Sequence, residues 1–119
     1  MLAKRIAALR AALIDPSVTS FVVVTRAATL PVLETARLLT ALKGLSIRPR
    51  ALIVNAAGGG TCAACRASRT AARRALRSLT QLAGKRLPDA IVHAPAAMPP
   101  PAGIEGLRAW RSAWAEPPK

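Results

Sequence analysis

Aromatic side chains are almost missing from this chain: its 119 residues include no tyrosine, one phenylalanine and two tryptophans. Proteins that hold single-stranded nucleic acid stack the bases on a series of such rings. Nucleic acid is therefore not the expected partner, despite the charge. Acidic residues are also scarce: 5 Asp and Glu stand against 18 Lys and Arg, a formal net charge of +13. That balance favours an anionic partner such as nucleotide, nucleic acid or a charged surface. The plainer reading is a solvated arginine surface, or one covered by the rest of an assembly. Histidine occurs once, as His93. No Ser/His/Asp set and no carboxylate pair appears at a specific spacing, so no hydrolytic constellation is legible. His93 reads as a packed residue at a strand end.

Long apolar runs are absent too. No stretch approaches the roughly 18 residues of a membrane span. Residues 1–13 interleave Lys4, Arg5 and Arg10 with apolar positions, unlike the unbroken core of a secretion signal. With two cysteines and no export signal, a reducing cytoplasmic setting is expected. Hydrophobic residues make up 52% of the chain, but many are alanine, so the core should be thin for its length.

Both cysteines lie in Cys62-Ala-Ala-Cys65. A structural zinc site needs four ligands, and there is neither a second CxxC nor more than one histidine. The pair is thus a redox motif, half of a site completed by another chain, or two ordinary small residues. For redox work the helix dipole, Arg66 and Arg69 would favour thiolate. However, the Trp and Pro of the thioredoxin pattern are missing.

The chain alternates in type. Leu2, Ile6, Leu9 and Leu13 share one helical face, and Asp15-Pro16 stops that helix. Phe21-Val-Val-Val-Thr25 is a β-branched run read as a strand buried on both faces. A helix follows with Pro31 in its first turn, an apolar face of Val32, Ala36, Leu39 and Leu42, and an end at Gly44. Ala51–Val54 is a second strand, and 56–60 a flexible glycine loop. Thr61 caps a helix carrying both cysteines in its first turn and running to about Leu82. Its inner face is Ala72, Leu76 and Leu79. Between Thr61 and Arg86 there are seven basic residues and no acidic one. Ala90–His93 is a third strand. The prolines of 95–101 exclude regular structure there, and a last helix sets Leu107, Trp110 and Trp114 on one side, against the sheet.

The predicted order, α-β-α-β-α-β-α, implies right-handed crossovers and a three-stranded parallel sheet between helix layers, an α/β fold. Residues 1–119 are read as one domain ending in a loose tail at 115–119. Strands apolar enough to be covered on both faces suggest a piece of a larger doubly wound domain.

Several segments come in a telling order: Phe21–Thr25, Leu33-Glu-Thr-Ala-Arg-Leu-Leu39, Leu52-Ile-Val-Asn55, Cys62-Ala-Ala-Cys-Arg66, then Pro95 and Gly103-Ile-Glu-Gly-Leu107. The set resembles the C-terminal part of the ArsA family of ATPases. These are P-loop NTPases of the SIMIBI type, and they include the arsenical pump-driving ATPase and the guided-entry ATPase for tail-anchored proteins. The resemblance implies ATP as cofactor. Asn55 would bond the adenine ring, and Pro95 and Ala96 would wall its pocket. It implies that Cys62 and Cys65 supply half of a zinc site shared by two subunits, hence a homodimer. The family's phosphate loop, hydrolytic aspartates and switch segments have no counterpart here. Gly58-Gly-Gly-Thr61 lacks the lysine of GxxxxGK[ST]. Hydrolysis is therefore expected only with an N-terminal P-loop polypeptide supplied elsewhere. Pro100 stands where the family usually has glutamate. The alternatives are a small basic nucleic-acid-binding module and a CxxC thiol redox protein.

Overall fold

A computed structural model describes residues 1–115. Three strands, β1 (Val22–Arg26), β2 (Ala51–Ala57) and β3 (Ala90–Pro95), form one parallel sheet in the order β1-β2-β3. Helices α1 (Leu2–Ile14), α2 (Thr29–Gly44), α3 (Ala63–Ala83) and α4 (Gly103–Ser112) alternate with them, and a 3₁₀ turn at Gly84–Arg86 follows α3. The predicted α/β order and parallel sheet are thus present.

Period-two alternation decides what the sheet buries. Val23, Leu52 and Ile91 align across the three strands and face α2 and α3. Val32, Leu39 and Leu42 of α2 and Ala75, Leu79 and Ala83 of α3 close over them. The core includes one polar pair: the buried Thr35 hydroxyl is bonded to Thr25 Oγ1 and to the Pro31 carbonyl, both at 2.8 Å.

The opposite face departs from expectation. Val22 and Val24 alternate with the buried Val23 and are 49% and 59% exposed. The run Val22-Val-Val is apolar on both sides, yet among the described residues little covers its second side. Helix α1 does form, but none of its residues is buried, and Leu2, Ile6 and Leu9 stay exposed. The β2 and β3 strands outrun their predicted ends by three and two residues, so 56–57 and Pro95 belong to strands. Trp110 sits in α4 and Trp114 just beyond it, with ring centroids 5.0 Å apart in an edge-to-face pair. Leu107, expected on the sheet, remains exposed.

Ala115 pairs with His93 as an antiparallel bridge on the outer edge of β3. The rest of the segment expected as a tail, 116–119, lies outside the described residues. No helix among the described residues is long and apolar enough to cross a membrane.

Candidate functional site

In parallel α/β sheets, ligands bind beyond the C-terminal ends of the strands. Asn55 lies near that end of β2, in register with Arg26 of β1, and its side chain is exposed. Pairing between β2 and β3 shifts register after Val54, where Ala56 takes a left-handed φ of 53°. Ala57 then aligns with Pro95, and the Ala96 amide donates to the Ala57 carbonyl at 3.1 Å. Asn55, Pro95 and Ala96 therefore come from adjoining strand ends. The Pro95 carbonyl accepts a bond from Trp110 Nε1 at 2.7 Å, which fixes the start of the proline segment against α4.

The groove beside Asn55 opens on the β1 side. Its volume is about 580 Å³, and Arg26, Leu30, Glu34, Leu38 and Asn55 line it. Pro95 and Ala96 are not part of its lining. Of the three expected adenine contacts, the structure brings only Asn55 to this groove. Arg26 and Glu34 were not anticipated there. Glu34 reads from sequence as a carboxylate favoured by the helix N-terminus. Its place in the second turn of α2, the helix that follows β1, is what sets it at the groove.

The cysteines lie at the next strand-to-helix junction. Cys62, not Thr61, is the N-cap of α3: its Sγ accepts the Cys65 amide at 3.0 Å, and the helix begins at Ala63. A sulfur can replace the usual capping oxygen because the amides of the first turn have no other partner. Cys62 and Cys65 are joined by a disulfide, with Cα atoms 5.0 Å apart. Gly60 has φ of 98°, and a Cβ there would fall 2.9 Å from Cys65 Sγ. The expected flexible glycine loop thus has one position that both backbone and space reserve for glycine. The Arg66 and Arg69 guanidiniums fold back onto the carbonyls of Thr61 and Gly60 and strap the loop to the helix.

Among the described residues, no group of three or more His, Cys, Asp and Glu could hold a metal. Within one chain the cysteine pair supplies at most two of the four ligands of a structural zinc site. His93 is half-buried, and desolvation lowers its pKa below the usual imidazole value. Its backbone is engaged with Ala115 at 2.8 and 3.1 Å.

A family model described as anion-transporting ATPase, ArsA_ATPase, matches residues 1–109. The chain belongs to that family. No curated protein matches it.

Proposed function

We propose that this chain contributes the adenine side of an ATP pocket in an ArsA-type anion-transporting or targeting ATPase. The observation that carries the reading is Asn55, exposed at the C-terminal rim of the parallel sheet beside an open groove. An amide offers a donor and an acceptor together, which suits the adenine edge. Pro95 and Ala96, at the adjoining strand end and outside that groove, would wall the adenine on the β3 side. Residues 1–119 contain no GxxxxGK[ST] sequence, so phosphate binding and hydrolysis fall to a polypeptide carrying that loop. The test is an NMR titration of the chain with AMP and with GMP. AMP should shift the Asn55 side-chain amide and the Ala96 backbone amide more than GMP does. Asn55→Ala should weaken AMP by roughly fivefold, the loss of about 1 kcal/mol of hydrogen bonding. Shifts confined to other residues would rule the assignment out.

We further propose that reduced Cys62 and Cys65 meet the same pair of a second copy around one zinc. Two plus two gives four thiolates, and an isologous interface brings identical residues together. The exposure of Cys62, which leaves its side chain open to a second chain, supports this. The disulfide is the competing state, since a pair bonded to itself has no thiolate to offer. Metal analysis with sedimentation under reducing conditions tests it. One zinc per two chains is expected, with zinc-dependent dimerisation lost in Cys65→Ser. A metal-free monomer would leave the thiol-redox reading in its place.

A further inference from the structure

Helix α3 carries Arg66, Arg69, Arg73, Arg74 and Arg77 and no acidic residue over its 21 positions. At 3.6 residues per turn, Arg66, Arg73 and Arg77 fall within roughly 40° of one another, and Arg74 widens that sector to about 100°. Ala75, Leu79 and Ala83, which pack on the sheet, lie on another side. The ridge thus faces away from the core. Arg66 and Arg69 are partly engaged with the loop carbonyls. Arg73, Arg74 and Arg77 are exposed, and the ion pairs among the described residues, Arg48–Asp89 and Arg108–Glu105, lie elsewhere. Three guanidiniums therefore project from a rigid helix with no anion among the described residues paired to them.

We propose that this ridge binds the phosphate backbone of duplex nucleic acid without reading sequence. From Arg66 to Arg77 the ridge runs about 16 Å along the helix axis. A duplex places one phosphate every ~1.7 Å of its own axis, so several lie within reach of such a ridge. Thr70 lies within the ridge and Ala67 at its edge, and these short side chains leave the helix free to approach closely. All the cations are arginine, whose planar fork matches phosphate oxygens in pairs. A lipid surface fits less well. A helix lying on a bilayer inserts its apolar side, and here that side is buried against the sheet. Scarce aromatics exclude base stacking but place no limit on contacts to phosphate.

The test is fluorescence anisotropy of the full chain with a short DNA duplex over a salt series. Three phosphate contacts alone give a log–log slope of about −2.7, so affinity should fall at least ~40-fold between about 50 and 200 mM salt. Arg73→Gln/Arg74→Gln/Arg77→Gln should make that slope shallower by about 2.7. If circular dichroism shows that this triple variant loses helix, Arg74→Gln/Arg77→Gln should still reduce it by about 1.8. Lys4→Gln/Arg5→Gln/Arg10→Gln removes the same charge from α1 and should change the slope by less than about 1. An unchanged slope in the ridge variants overturns the proposal. So does an equal loss in the α1 variant, because net charge alone would then explain binding. Full competition by phosphatidylserine vesicles at matched charge would reassign the ridge to a lipid surface.

Discussion

His93 is the one side chain here whose ordinary pKa lies near neutrality. Its desolvation favours the neutral ring in the folded state. A folded pKa below the unfolded value of about 6.5 means that the unfolded chain binds the proton first. Stability contributed by neutral His93 is complete above that unfolded value and is lost as pH falls through the lowered folded pKa. Chemical denaturation at a series of pH values should therefore show stability rising from mildly acidic pH toward neutrality, and a flatter profile in His93→Gln. Asp15 is also lowered, by its bonds to the Ser17 hydroxyl and amide, but its window lies within the carboxylate range and does not overlap. An equally steep profile in His93→Gln would show that burial of the ring is not the cause. His93 also shows what sequence can tell at this scale. Its role as a packed strand residue was legible from its place after Ile91-Val92. Its pairing with Ala115 was not, because a bridge 22 positions away leaves no local pattern. The same holds for Cys62: the CxxC spacing is visible in the sequence, but the residue at which α3 begins, and so the choice of the Cys62 sulfur over the Thr61 hydroxyl as cap, is not.

Periodicity determined the elements better than it determined their cover. Helix α2 buries the Val32-Leu39-Leu42 stripe read from its spacing, with Ala36 partly buried beside it. On α3 the stripe is rotated: Ala75, Leu79 and Ala83 are buried, whereas Ala72 and Leu76 are only half-buried. Alanine and leucine lie on both flanks of that helix, so composition alone could not fix the rotation. Charge does not prevent the helix. Like-charged pairs at Arg66/Arg69, Arg69/Arg73, Arg73/Arg77 and Arg74/Arg77 cost about 0.2–0.5 kcal/mol each, roughly 1–2 kcal/mol together. Full burial of Leu79 alone contributes about 1.5–3 kcal/mol, so packing outweighs repulsion. Helix α1 has the opposite fate: its apolar stripe is as regular as that of α2, yet among the described residues nothing closes over it. A hydrophobic period reports which side can be buried, while the burial itself needs a partner surface. The strand ends erred for a related reason. Ala56 and Ala57 read as loop beside three glycines, and only pairing with β3 draws the second of them into the sheet.

The consequence for the whole molecule is an incomplete interior. The radius of gyration is 16.9 Å, against about 13.5 Å for a compact chain of this length, and the extents are 60 × 37 × 23 Å. Parallel sheets are stable when helices cover both faces, and here α2 and α3 cover one. The other presents Val22 and Val24, and α1 adds Leu2, Ile6 and Leu9. Exposed apolar surface of this kind drives association when nothing else covers it. The isolated chain, oxidised and metal-free so that the cysteine pair is closed, should therefore bind a hydrophobic dye. It should also gain mass by sedimentation over a roughly twentyfold concentration range, as mass action requires. Val22→Thr combined with Val24→Thr keeps β-branched shape and strand propensity while making that face polar. It should lower both signals without altering the far-ultraviolet spectrum. Equal dye binding in this variant would place the exposed apolar surface on α1 instead, which Ile6→Gln with Leu9→Gln then checks. Dye binding and association absent from the unmodified chain would mean that α1 folds back over Val22 and Val24 in solution and completes the second face.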